Sequence, residues 1–164
     1  MTQTALPDLE RRLADLEAKE EIRAFIADYC RLNDALTELD ALVALFAEDA
    51  VMRNPAGTHS GREAIRTYYT NFFKSGTAFA RHHVINQVIT IDAPDRARHD
   101  AYFIAMLGRD GESKIVYGSY ADTLVKRDGG WLFREKINDI VAPTTIEAGW
   151  AEGFGTHSPI VRSS

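Results

Sequence analysis

The residue types in this sequence that are best suited to proton transfer are its histidines. There are five of them, at positions 59, 82, 83, 99 and 157. His82 and His83 are adjacent in a predicted strand, and neighbouring strand residues point to opposite faces of a sheet. The two cannot bind one ion together. We therefore expect no metal centre and favour acid–base chemistry carried by a single histidine.

A carboxylate that could orient such a histidine stands at the end of the first predicted helix, at Asp34. A histidine on the concave side of the sheet, facing that helix end, would meet it. A carboxylate beside an imidazole fixes its tautomer and stabilises its charged form, whereas burial among aromatic rings favours the neutral form. Positioned proton transfer contributes about 10²–10⁴-fold to a rate. Two structural alternatives stay open: Asp34 as a helix cap, and His82 as a hydrogen-bonded strand residue.

Motifs for other chemistries are missing from the sequence. It has no glycine-rich phosphate loop, no GxGxxG, no nucleophile elbow and no HExxH. The single cysteine, Cys30, excludes an intrachain disulfide framework and a cysteine-based zinc cluster, and we interpret it as an inert small hydrophobe. We therefore expect chemistry that needs no cofactor.

Composition limits the class of protein and of partner. The 164 residues, 45% hydrophobic and 26% charged, suffice for one domain with its own core. A net charge of −5 disfavours nucleic-acid binding. No apolar run approaches the roughly 20 residues that span a bilayer, and the N-terminus lacks the layout of a secretory signal. We expect a cytoplasmic protein that binds neither membrane nor nucleic acid and whose ligand is small.

Helices are predicted for the first part of the chain. We interpret the apolar positions from Leu9 through Leu13 and Leu16 to Leu32 as one inward-facing helical stripe. A second helix is predicted after Thr37 as its N-cap. A short strand over residues 50–54 and a loop over 55–57 follow. Ser60 and Glu63 form the pattern of a capping box at the start of a third helix, whose body extends over residues 64–73.

The second half of the sequence changes to a strand pattern. Residues 82–91, 97–107, 114–125 and 131–141 are rich in β-branched and aromatic types, and Asp-Gly pairs between the later runs predict hairpins. Helices grouped ahead of long antiparallel strands indicate an α+β fold with a strongly curved sheet. The tail after residue 142, which contains Trp150 and Phe154, is either a loose end, a flap over the pocket or a contact with another subunit.

Six segments, taken in order, resemble those of SnoaL-like proteins, a family of the superfamily named after nuclear transport factor two. Each is weak alone, but their order and spacing cover about residues 10–140. They are residues 21–34 (EIRAFIADYCRLND), 42–51 (LVALFAEDAV), 61–65 (GREAI), 81–86 (RHHVIN), 118–122 (GSYAD) and 128–131 (DGGW).

The resemblance implies a cone-shaped, curved antiparallel sheet wrapped around N-terminal helices, with residues 1–142 as the SnoaL-like α+β barrel domain and 143–164 as a tail. It also implies activities such as dehydration, dehydrochlorination, cyclisation and steroid isomerisation. The family's helix-end aspartate corresponds to Asp34 and its helix tyrosine to Tyr29. Its histidine stands four residues before an asparagine, which selects His82 because of Asn86; a register slip of one would select His83.

Further site residues are expected around that set. Lys136 corresponds to an arginine on the last strand of dehydrochlorinases, with a different side-chain geometry. The second histidine of scytalone dehydratase has no clear equivalent, since His99 is a poor stand-in. Tyr102 and Tyr120 are expected to point inward. The residues predicted to line the substrate pocket are Met52, Tyr69, Phe73, Asn86, Tyr102, Tyr120 and Lys136.

The function expected from these features is that of a cofactor-independent lyase, dehydratase or isomerase for a small hydrophobic, aromatic or polycyclic substrate. His82 would act as general base, Asp34 would orient it, and Tyr29 would donate a hydrogen bond to an oxygen that gains negative charge. We expect a homodimer or homotrimer. The alternative is a non-catalytic ligand-binding protein or the small structural subunit of a ring-hydroxylating oxygenase.

Overall fold

A computed structural model of the chain describes residues 5–147. Helices precede most of the strands in this range, which begins with a helix of 31 residues. The helices are α1 (Ala5–Ala35), α2 (Leu39–Ala44) and α3 (Arg62–Phe73), and the strands are β1 (Phe46–Asn54), β2 (Gly57–Ser60), β3 (Thr77–Ala93), β4 (Arg96–Arg109), β5 (Glu112–Arg127) and β6 (Gly130–Thr145). No helix in residues 5–147 is long and apolar enough to cross a membrane.

The six strands form one mixed, unclosed sheet in the order β2-β1-β6-β5-β4-β3. Neighbouring strands are antiparallel except β1 and β6, which are parallel. A bulge interrupts the β3–β4 pairing between Ile85 and Val88, and Asn86 there adopts a φ of 54°. Because a bulge bends its strand and increases the local twist, it helps β3 curve around the helices. The α+β fold with a curved sheet is therefore confirmed.

The two hairpins predicted from Asp-Gly pairs are both present. Asp110-Gly111 has φ values of 55° and 81°, and Asp128-Gly129 has values of 50° and 81°. The tight hairpin turn whose twist matches that of the strands requires positive φ at both central residues. An Asp-Gly pair adopts these angles with little strain. These turns determine which residues of β4, β5 and β6 lie opposite one another.

The hydrophobic core lies between the helices and the concave face of the sheet. Its centre is aromatic: Tyr29 of α1 contacts Phe46 of β1 and Phe133 of β6, with ring centroids 6.4 Å and 5.2 Å apart. Phe46 and Phe133 in turn lie 5.1 Å apart. Large rings bury much apolar area each and favour such edge and tilted contacts. The packing holds the C-terminal half of α1 against the sheet.

The predicted starts of the second and third helices are wrong in detail. Gly61, with a φ of 83°, is the N-cap of α3, and no side chain caps it. Ser60 is instead the last residue of β2, where it pairs with Val51 in a hairpin that the sequence pattern does not predict. Likewise, Glu38 rather than Thr37 is the N-cap of α2. At α3 the backbone N–H of Gly61 donates to the Ala50 carbonyl, and before α2 the Thr37 hydroxyl donates to the Ala35 carbonyl, so neither predicted side chain caps its helix.

The prediction that one apolar stripe of α1 faces inward is also wrong. Ile22, Ile26 and Tyr29 are buried, but the leucines before them are exposed by 55–65%. A helix turns about 100° per residue, so the six positions from Leu16 to Ile22 carry the apolar stripe to another face. Leu6, Leu9, Leu13 and Leu16 therefore form a stripe of their own.

Candidate active site

The geometry of the site begins with a histidine and an aspartate that lie 48 residues apart in the chain. His82 Nδ1 is 2.6 Å from Asp34 Oδ1, and the backbone N–H of His82 donates to Asp34 Oδ2 at 3.0 Å. Their side chains are only 10% and 11% exposed. Both carboxylate oxygens are therefore used on one residue, so that the carboxylate cannot rotate away without losing two hydrogen bonds.

Secondary structure explains why these two residues meet. Asp34 lies in the last turn of α1, and His82 lies on β3, the strand against which α1 packs. Alternation along β3 turns His82 toward the helix and leaves the adjacent His83 exposed. The helix cap that we considered for Asp34 is not formed, since α2 has no side-chain cap.

The hydrogen bond determines what the imidazole can do. Asp34 accepts the proton of Nδ1, which leaves the lone pair of Nε2 as the basic atom of the neutral ring. A ring that takes up a proton at Nε2 becomes an imidazolium, and the carboxylate beside it stabilises that charge. The arrangement is thus suited to general acid–base catalysis.

The pair lines a groove of about 700 Å³ between α1 and β3. Ile26, Ala27 and Cys30 form its helix side, and Val84 continues the strand side. Arg81 also lines it, with a guanidinium carbon 5.1 Å from the centre of the Phe79 ring. Arg23, Arg31, His83 and Gln87 line it as well, so apolar and charged groups surround the acid–base pair. Apolar surface with convergent polar groups is typical of a site for a small organic molecule.

A second set of ionisable residues is buried in the interior, across three adjacent strands. His99 Nδ1 lies 2.9 Å from Asp122 Oδ2, and Lys136 Nζ lies 3.4 Å and 3.5 Å from the two Asp122 oxygens. All three side chains are fully buried. Sequence reasoning missed Asp122 and gave His99 no function. The available signal was register: His99 and Asp122 are equally far from the Asp110-Gly111 turn and so must pair.

Lys136 is further surrounded by aromatic rings. Its Nζ lies 3.7 Å, 4.3 Å and 4.6 Å from the ring centres of Tyr120, Tyr29 and Phe133. Ring faces attract a cation, most strongly where water is excluded. Burial lowers the pKa of Lys136, while the Asp122 carboxylate acts in the opposite direction.

Three buried tyrosines surround this centre. The hydroxyls of Tyr29 and Tyr69 are 2.9 Å apart, and burial raises the pKa of both phenols and that of Tyr120. They therefore stay protonated and able to donate a hydrogen bond at any ordinary pH. Tyr120 stacks on Phe103 with centroids 4.4 Å apart, and Phe103 lies 6.3 Å from the His82 ring. Aromatic contacts thus connect the acid–base pair to the tyrosines.

Some of the other predicted site residues lie in the core, and others are exposed on the opposite side of the sheet. Met52 and Tyr69 are buried in the core, and Phe73 is half-buried against it. Asn86 and Tyr102 are exposed and line a different groove, of about 1120 Å³. The inward orientation predicted for Tyr102 is wrong: it is 58% exposed because its neighbour Phe103 takes the inward position. Trp150, Phe154 and His157 lie outside the described residues.

We expect Cys30 to make the fold less stable as the pH rises through the alkaline range. Burial raises the pKa of its thiol from 9.0 to about 12. The unfolded chain then loses this proton first, so the free energy of unfolding falls as the pH rises through that interval. In urea titrations from pH 8 to 11, the wild type should lose up to about 1.4 kcal/mol per pH unit more than Cys30→Ala. Parallel pH profiles would contradict this expectation.

Solved structures of other proteins have this fold. A candidate scytalone dehydratase from Novosphingobium aromaticivorans is 25% identical, with a TM-score of 0.76 over 92% of this chain and 98% of that one. A candidate aromatic ring hydroxylase from the same species is 25% identical, with a TM-score of 0.73 over 81% and 96%. The hexachlorocyclohexane dehydrochlorinase LinA-type3 of Novosphingobium barchaimii is 16% identical, with a TM-score of 0.73 over 93% and 99%, and shows the fold alone.

The family follows from the sequence match. No curated protein sequence matches the chain. Residues 14–136, well over half of the chain, match the SnoaL-like domain. That range includes both members of the His82–Asp34 pair and the buried cluster around Lys136. The chain therefore belongs to the SnoaL-like family of the NTF2-like superfamily.

Proposed function

We propose that this protein is a cofactor-independent lyase or isomerase that removes a proton from carbon in a small hydrophobic substrate. The observation that carries the proposal is the double hydrogen bond between Asp34 and His82, one to the ring and one to the backbone. A carboxylate that accepts both of these hydrogen bonds holds the imidazole in one tautomer and one orientation, which is what a general base requires.

In the proposed reaction, His82 Nε2 accepts a proton from an acidic C–H of the substrate. Asp34 stabilises the resulting imidazolium. The electron pair left on carbon either expels a leaving group on the adjacent carbon or moves into a conjugated carbonyl. The imidazolium then returns its proton to the departing group, which completes an elimination, or to another carbon, which completes an isomerisation.

Buried phenols are suited to the other half of this chemistry. An oxygen that gains negative charge needs a donor that does not itself ionise, and burial keeps Tyr29, Tyr69 and Tyr120 protonated. We assign Tyr29 the donor role, as in the sequence-based hypothesis. Phe103, whose ring centroid lies 6.3 Å from that of His82, favours an aromatic or polycyclic substrate beside the base.

One comparison supports elimination among the possible reactions. The candidate scytalone dehydratase, 25% identical to this chain, is named for the removal of water. That reaction needs a base that takes a proton from carbon. The same base serves an isomerase, so the choice between the two rests on the leaving group of the substrate.

A non-catalytic function is the second candidate, and the convex face of the sheet favours it. Apolar side chains there are 38–60% exposed, at Ile85, Val88, Tyr102, Ile104 and Met106. Contiguous exposed apolar surface is typical of a partner contact. A structural subunit expressed without its partner should associate irregularly, whereas a self-sufficient enzyme should form one homo-oligomer of defined mass.

The test of the acid–base pair needs no substrate. We would record the ring-nitrogen NMR signals of the histidines in the wild type and in Asp34→Asn. His82 should be fixed with its proton on Nδ1 in the wild type, and Asp34→Asn should shift its tautomer balance toward a proton on Nε2. His83→Gln identifies the neighbouring signal and should leave that of His82 in place. A His82 ring with mixed tautomers that ignores the Asp34 substitution would remove the pair from the mechanism.

A further inference from the structure

The N-terminal part of α1 carries an apolar stripe that nothing in residues 5–147 covers. Every residue from 6 to 14 is exposed, so this part of the helix extends beyond the body of the domain. Leu6, Leu9, Leu13 and Leu16 are 65%, 55%, 57% and 63% exposed. A helix of a globular protein normally buries such a face, since packing supplies most of its stability.

The spacing of the leucines is that of a helix pair. Steps of three, four and three residues place them at successive a and d positions of a heptad repeat. On a helical wheel they fall within about 80° of one another. Glu20, at the next a position, ends the stripe because it would face its own copy across such a pair.

The stripe also points in a direction that leaves room for a second molecule. The residues by which α1 packs on its own domain, Ile22, Ile26 and Tyr29, are buried. At 100° per residue, their mean direction differs from that of the leucine stripe by about 150°. Two copies paired through the stripes would therefore carry their domains on opposite, outer sides of the helix pair.

The charges beside the stripe select an orientation. Arg12 occupies a g position and Glu17 the following e position, and both are exposed. In a parallel pair, g of one helix lies beside the next e of the other, so each Arg12 meets a Glu17. An antiparallel pair would instead place Arg12 beside Arg12 and Glu10 beside Glu10. Like charges in contact disfavour that arrangement.

From the stripe, its direction and its charges, we propose that a second copy of this chain pairs with the first through residues 6–17 of α1, in parallel. The contact is small compared with the surfaces of permanent dimers, so it is reversible and depends on concentration. It is a different surface from the convex face of the sheet and from the groove at His82.

Cross-linking tests the proposal directly. In a parallel pair, identical d positions lie side by side, so Leu9→Cys should form an intermolecular disulfide under mild oxidation with glutathione disulfide. Ala14→Cys is the matched control, because Ala14 is equally exposed but lies about 120° from the stripe. The native Cys30 is buried in both variants. Linkage of Leu9→Cys no faster than that of Ala14→Cys would overturn the proposal.

Sedimentation equilibrium provides the second readout. At concentrations where the wild type is associated, the variant Leu9→Glu/Leu13→Glu should have half its mass. Arg12→Glu and Glu17→Arg should each weaken association several-fold, and the two changes in one chain should restore it. A mass that is the same in the wild type and the leucine variant would overturn the proposal. Preferential linkage of Leu9→Cys to Leu13→Cys in a mixture would indicate an antiparallel pair, and it too would overturn the proposal.

Discussion

His82→Gln is expected to lower the rate of proton removal from a carbon acid by about 10²–10⁴-fold, the usual contribution of a positioned general base. Glutamine can still donate to Asp34, but its amide has no basic atom to take up a proton. The rate can be followed as deuterium uptake from D₂O at the carbon next to the carbonyl of 2-tetralone, an aromatic bicyclic ketone. This assay reports the proton step whatever the natural leaving group is.

The neighbouring histidine supplies the control for this experiment. His83 has the same side chain one position along β3 and also lines the groove, but it is exposed, and Asp34 bonds to His82 instead. His83→Gln should therefore keep the wild-type exchange rate. Asp34→Asn, like His82→Gln, should lower that rate. Equal loss in His82→Gln and His83→Gln would contradict the assignment of the base. Absence of exchange above the solvent background in the wild type would favour the non-catalytic function.

Asp122→Ala is expected to lower the free energy of unfolding by about 3–5 kcal/mol, the range for breaking a buried ion pair. Asp122 is the shared partner of His99 and Lys136, and all three are fully buried. Removing the carboxylate leaves the lysine charge in a low-dielectric interior that contains no other described carboxylate bonded to it. Urea denaturation followed by circular dichroism measures the loss, provided that its slope with denaturant stays constant.

Two further variants separate the cause of this loss from general damage to the core. Lys136→Met in the Asp122→Ala background removes the unpaired charge at similar volume and should recover a large part of the stability. Asp28→Ala breaks an exposed ion pair with Arg31 on α1 and should change the free energy of unfolding by about 0.5 kcal/mol or less. If Asp122→Ala lowers the free energy of unfolding no more than Asp28→Ala does, the buried cluster does not stabilise the fold.

Local sequence signals were sufficient where the structure depends on neighbours in the chain. The Asp110-Gly111 and Asp128-Gly129 turns are examples, because positive φ at two adjacent positions is a property of the residues themselves. The change from helical to strand periodicity gave the α+β class for the same reason. The order of six short motifs gave the family, although none of them describes a side-chain contact.

The signals failed where a distant element competes for the same residues. Ser60 has the pattern of a helix cap, but its backbone pairs with Val51 and Gly61 becomes the cap. Leu13 and Leu16 have the hydrophobicity of core residues, but the contacts of α1 with the core begin at Ala18. Hydrophobicity determines how much free energy a side chain would gain by leaving water. Whether the folded domain offers a surface that can bury it depends on the tertiary packing.

The candidate site shows the same division. Residue types alone indicated a histidine with a carboxylate, and the family motifs pointed to Asp34 with His82 or His83. Which histidine faces the helix depends on the strand register, since a slip of one residue reverses every side chain. The partnership of His99, Asp122 and Lys136 likewise exists only across three paired strands. The sequence could therefore specify the kinds of chemical groups and their order, whereas the curvature and register of the sheet decided which of them meet.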